Sequence, residues 1–197
     1  MLRRLLQLYI GLVLYGVSTA LFVHANLGAD PWDVFHLGVA KQLGISFGTV
    51  IILTGAAVLL LWIPIRQMPG LGTVSNVIVL GLAADATLAV LPPLESMVAR
   101  SALLVGAIVL NAIATGMYIG AGFGPGPRDG LMTGLHARTG WSLRVIRTAI
   151  ELSVLLIGYD AQFHRQPLAE HAQFIHRHDA ASQQARRYPP EHKEWRC

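Results

Sequence analysis

Charge is what this chain has least of. Asp, Glu, Lys and Arg make up 13% of its 197 residues, while 53% are hydrophobic. A water-soluble domain carries about a quarter charged residues, so this composition argues against one. Cysteine is nearly absent as well. The single Cys197 leaves no partner for an intrachain disulfide and no set of thiolates for a metal cluster. No nucleophile elbow, phosphate-binding loop or zinc-protease helix occurs. An enzyme is therefore not expected, nor a metal or cofactor. The formal net charge of +4 is not read as a nucleic-acid signal, because basic residues in a membrane protein mainly report orientation.

What the chain has instead is long apolar blocks. The hydrocarbon slab needs about 20 apolar residues per helix. Spans are predicted at residues 5–25, 47–65, 73–91 and 102–121. A fifth, at 143–159, is less clean because it holds Arg144, Arg147 and Glu151. The first block is too long for a signal peptide and no small-x-small cleavage site follows it, so it reads as a retained span. With the N-terminus in the cytoplasm, Arg3, Arg4, Arg66, Arg128 and Arg138 fall on the inner side. Arg144 and Arg147 then lie at the inner edge of the fifth span, and the outer side receives Lys41 and Arg100. The lipid bilayer is the one partner this pattern demands.

The chain also repeats itself. Shifted by 96 residues, STALFVHANLGADPWDVFHLGVAKQLGISFGTVI (residues 18–51) lies over ATGMYIGAGFGPGPRDGLMTGLHARTGWSLRVIR (residues 114–147) without a gap. Thr19 matches Thr115, Ala25 matches Ala121, Gly28 matches Gly124, Pro31 matches Pro127 and Asp33 matches Asp129. Gly38, Gly44 and Ser46 match Gly134, Gly140 and Ser142. Apolar segments match one another easily, but that does not explain Gly, Pro and Asp falling in register. Three spans in the first unit are an odd number, so the second unit would enter the bilayer from the opposite face. Such inverted repeats are common in secondary transporters.

Each copy carries G-x-x-P-x-D between one span and a short helical pattern. Gly28 and Gly124 allow backbone angles that stop a helix. Pro31 and Pro127 suit the first turn of the next one, where a missing N–H costs nothing. Asp33 and Asp129 then sit at its positive end. These units read either as capped connectors on the surface or as helix breaks meeting at a shared polar cavity. In the second case Asp33 and Asp129 would bind a small solute or ion. Arg128, which stands where the first copy has Trp32, would tune the inner mouth. Asp85, deep in the third span, is a further candidate, since a carboxylate there faces a cavity or a partner. Glu151 and Arg147 are four residues apart and can satisfy each other. Asn76 and Asn111 read as interhelical hydrogen-bond groups. His36 lies three residues after Asp33, but Met132 replaces it in the second copy, against a metal pair. His164, His171, His176, His178 and His192 read as solvated.

On the residues VSTALFVHANLGADPWDVFHLGVAKQLGISFGT and GMYIGAGFGPGPRDGLMTGLHARTGWSLRVIRTAIE, with GLGTVSN opening the third span, the chain resembles the YczE/YitT-like family of bacterial integral membrane proteins. The resemblance covers about residues 5–158. It implies an inner-membrane protein with six spans and leaves its molecular activity undefined. After Gly158 the repeat fails. The segment YDAQFHRQPLAEHAQFIHRHDAASQQARRYPPEHKEWRC is too charged to cross a bilayer. It reads as a changed reading frame or replaced C-terminus, or else as a native divergent tail.

The expectation is an all-α polytopic membrane protein of two inverted three-span repeats, its last span missing or replaced. Residues 1–92 form the first repeat, 93–158 the incomplete second, and 159–197 a polar, disordered tail. Its expected function is that of a transporter or permease for a small solute or ion, located in the bacterial plasma membrane. The alternative is a non-transporting accessory protein, in which the two Asp units stay apart with no polar cavity between them.

Overall fold

The computed structural model describes residues 1–163, and their regular structure is all α-helical. The helices are α1 (Leu2–Ala25), α2 (Pro31–Leu43), α3 (Phe47–Ile65), α4 (Leu71–Val90), α5 (Met97–Gly120), α6 (Pro127–Thr139) and α7 (Leu143–Phe163). The tail expected to be disordered lies outside the described residues, apart from the last turn of α7, which carries the helix past Gly158. The boundary expected at 92/93 falls in the connector between α4 and α5.

Local chemistry explains where the helices begin and end. Asp30 caps α2, its Oδ1 accepting the Asp33 N–H at 2.7 Å, and Pro31 takes the first helical position. Pro127 plays the same part in α6, but its N-cap is Gly126 and no side chain caps that helix. Ser46 caps α3 by accepting the Thr49 N–H at 3.1 Å. The left-handed residue ending α1 is Asn26 (φ 48°), not Gly28. Asn tolerates that conformation through its short polar side chain.

α1 packs against both α4 and α5, α3 lies on α4, and α6 packs on α3. The crossings are close because they use small residues. A Cβ on Gly16 would stand 2.6 Å from the Leu80 carbonyl oxygen, and one on Gly81 would stand 2.5 Å from that of Gly48. α1 and α5 run antiparallel and are tied at both ends. The Arg4 Nε–H donates to the Ala121 carbonyl at 3.0 Å, and the Arg100 Nε–H donates to the Ala25 carbonyl at 2.7 Å. Outward faces are apolar: Ile63, Val98 and Leu156 are each exposed by two thirds or more.

Four helices, α1, α3, α4 and α5, are long and apolar enough to cross a membrane. α7, expected as a fifth span, is long enough at 21 residues but does not join them by composition. Its first turns carry Arg144 and the ion pair of Arg147 with Glu151, at 2.8 Å along one face as the spacing suggested.

Candidate functional site

The second helix break is held by its carbonyls. Gly122 (φ 69°) and Gly124 (φ 116°) turn the chain after α5, and the segment then runs extended to Pro127. The Phe123 carbonyl accepts the Gly72 N–H at 2.9 Å, and the Pro125 carbonyl accepts the Thr73 hydroxyl at 2.8 Å. The Pro127 carbonyl accepts the Trp62 indole N–H at 3.1 Å. The carbonyls of Phe123, Pro125 and the first α6 residue, Pro127, are thus taken by α4, α4 and α3. Contact is close enough that a Cβ on Gly70 would stand 2.3 Å from the Phe123 oxygen. One on Gly130 would stand 2.1 Å from the Trp62 ring. The first turn of α4 and a buried tryptophan thus hold the chain where it enters α6.

The two breaks meet. Arg128, at the start of α6, stacks its guanidinium on the ring of Trp32 in α2, 4.4 Å from the centroid. Its Nη1 lies 4.0 Å from Oδ2 of Asp30, too far for a hydrogen bond. Among the described residues no hydrogen bond engages the Arg128 side chain, although it is only 30% exposed. Beneath this contact the rings of Tyr15 (α1) and Tyr118 (α5) lie 5.8 Å apart, and the Tyr118 hydroxyl donates to Oδ2 of Asp129 at 3.1 Å.

Two cavities flank Arg128. The smaller, about 80 Å³, is lined by Trp32, His36, Thr54, Asn76, Tyr118 and Asp129. The larger, about 330 Å³, is lined by Thr19, Phe22, Gly28, Asp30, Asp33 and Asn111. Arg128, Tyr15 and Leu80 belong to both walls. Asp33 and Asp129 therefore lie on adjoining cavities, with Arg128 on the wall of both. Burial, then the neighbouring Asp30, pushes the Asp33 carboxyl up to about 8, opposed by Arg128. Burial and Arg128 hold the His36 imidazole neutral, down to about 3. Its Nδ1 has no hydrogen-bond partner among the described residues, and its ring is boxed in by Trp32, Phe35 and Phe47.

Asp85 is placed elsewhere. Its carboxylate accepts the Gly48 N–H at 2.7 Å and the Ser46 hydroxyl, holding the start of α3 to α4, and it lines neither cavity. Asn76 and Asn111 sit on cavity walls, and Asn111 accepts the Thr115 hydroxyl one turn along its own helix. Sequence reasoning did not single out Asp30, Trp62, Thr73, Tyr15 or Tyr118. Only Thr73 left a signal, inside GLGTVSN.

Comparison with known proteins agrees with this architecture. Residues 2–164 match the model of a family of unknown function, DUF6198. An uncharacterized protein of Haemophilus influenzae is 36% identical over 152 residues, covering 77% of this chain and 70% of that protein. The uncharacterized membrane protein YczE of Bacillus subtilis is 29% identical over 153 residues, covering 77% and 71%. No solved structure matches. With four apolar helices long enough to span and a family match over most of its length, the chain is a multi-pass membrane protein that belongs to the DUF6198, YczE-like family.

Proposed function

We propose that this protein carries a small solute or ion across the bacterial plasma membrane, through a site where two helix breaks from opposite faces meet. In this reading the chain is an inverted repeat with its N-terminus in the cytoplasm. The 96-residue spacing supports it: α2 and α6 begin at Pro31 and Pro127 and end at Leu43 and Thr139, and α3 and α7 begin at Phe47 and Leu143. The arginine ties support it too. Arg4 and Arg100 are equivalent positions, as are Ala25 and Ala121, and their reciprocal bonds fit an approximate two-fold axis between α1 and α5.

The observation that carries the proposal is the contact of Trp32 with Arg128. These two are also equivalent positions, so their stacking supports a meeting point at that axis, between two cavities of mixed polar and apolar lining. Broken backbone at membrane depth is tolerated where it lines a cavity, and transporters place their sites at repeat interfaces near the midplane. An accessory protein would be expected to keep the two units apart behind close-packed aliphatic side chains. Their contact favours transport instead.

The test is solute flux into proteoliposomes, followed by light scattering, for glycine, sodium acetate, methylammonium chloride and glycerol. Vesicles holding the protein should admit at least one of these at ten times the rate of empty vesicles or more, and Arg128→Gln should abolish the difference. Equal rates for all four with and without protein would overturn the proposal.

A further inference from the structure

Resting on the reading of this site as a solute pathway, we propose that the solute is a small zwitterion bearing one carboxylate and one ammonium group. The Arg128 guanidinium receives the carboxylate and the Asp30 carboxylate receives the ammonium.

Arg128 offers five N–H donors in a planar fork suited to a carboxylate. Trp32 covers one face of that plane, so the donor edges stay open, and nothing among the described residues fills them with a hydrogen bond. Asp30 spends Oδ1 on the α2 cap and leaves Oδ2 at 4.0 Å from the guanidinium. The pair is near enough to attract and too far apart to bond, so a ligand's charged ends would meet the open donor edges of Arg128 and the Asp30 Oδ2 from the cavity side, not by entering the gap.

Charge balance then selects the ligand. A lone anion on Arg128 would draw the guanidinium from Asp30 and face that carboxylate directly. A lone cation on Asp30 would leave the guanidinium uncompensated. Neither single charge compensates both members of the pair, whose side chains are 30% and 56% exposed, whereas a zwitterion does. The polarity is also built in. Gly126 leaves the positive end of α6 without a side-chain cap, on the wall of the smaller cavity, whereas the equivalent Asp30 caps α2. That helix end is shared with the Asp129 carboxylate, in the first turn of α6 and on the same wall, so the Arg128 guanidinium is what places a ligand carboxylate there. The ammonium end and any carbon chain fall in the larger cavity beside Asp30 and Phe22. Its 330 Å³ is the liquid volume of roughly ten waters and lies within the range of small-molecule sites.

Calorimetric titration of the purified full chain in detergent, at constant ionic strength and pH 7, tests this. The probes are glycine, β-alanine, 4-aminobutanoate and 5-aminopentanoate, with acetate and methylammonium as single-charge controls. At least one amino acid should bind tenfold more tightly than either control or better. Arg128→Gln and Asp30→Asn should each weaken it tenfold or more. Asn still accepts the Asp33 N–H, so the second variant keeps the α2 cap and the fold. Acetate or methylammonium binding as tightly as every amino acid, or no amino acid binding, overturns the proposal. Amino-acid binding without flux in vesicles would instead sink the pathway reading and leave the ligand class standing.

Discussion

The extended segment before α6 stands on a few hydrogen bonds, and their coupling can be measured. Trp62→Phe keeps a ring in the pocket and removes the N–H that the buried Pro127 carbonyl accepts at 3.1 Å. Thr73→Val removes the hydroxyl that donates to Pro125 at 2.8 Å and accepts the Gly70 N–H at 3.3 Å. A typical intramolecular hydrogen bond contributes about 0.5–1.5 kcal/mol net, and each variant should lose about that much, since the Pro127 carbonyl keeps its place in the α6 ladder and Pro125 is exposed. The two carbonyls are two residues apart on one segment, so lifting the segment at either point loosens the other. The double variant should therefore lose less than the sum, with a coupling of at least about 0.5 kcal/mol. Unfolding in detergent, followed by near-ultraviolet absorbance or tryptophan emission, gives the four stabilities. Losses that add to within about 0.5 kcal/mol would mean the two contacts act independently, and the account of a jointly clamped break would fail.

Two further outcomes follow from individual carboxylates. Asp33 holds its proton up to about pH 8 in the folded protein, against an ordinary value of 3.8. Its contribution to stability is fully present below pH 4 and is lost as pH rises toward 8. The melting temperature should therefore decline between pH 5 and 8, and Asp33→Asn should flatten that decline; parallel curves would contradict the assignment. Asp85→Ala should cost about 1–3 kcal/mol by freeing the Gly48 N–H, yet leave flux per folded molecule unchanged. A selective loss of flux at full stability would return Asp85 to the site.

The helix starts were legible because their causes are local: Pro31 and Pro127 set φ for the first turn, and Ser46 caps its own helix. The end of α1 at Ala25 was legible, but the residue that stops it was not: Gly28 is the more conspicuous breaker, while Asn26 takes the left-handed conformation. The fifth block, 143–159, became the helix α7, but its charges keep it out of the apolar set. Asp85 drew notice as an intramembrane carboxylate, but its partners are 37 and 39 residues earlier, on another helix. The exchange of Trp32 for Arg128 was visible between the copies. Its pairing with Asp30 was not, because nothing in linear spacing brings residues 30 and 128 together. Trp62 and Thr73 stayed hidden for the same reason: their role is to satisfy carbonyls of a segment more than 50 residues away.

Opposite-face entry of the two breaks is the core of this account, and site-directed labelling tests it directly. In a Cys197→Ser background, single cysteines would be placed at Leu43, the last residue of α2, and at Trp141, after α6, both well exposed. A membrane-impermeant maleimide would be applied to right-side-out and inside-out vesicles. Leu43→Cys is expected to label from the outer face and Trp141→Cys from the cytoplasmic face. Labelling of both positions from the same face would contradict the inverted arrangement, and with it the meeting of two breaks at Arg128 from opposite sides.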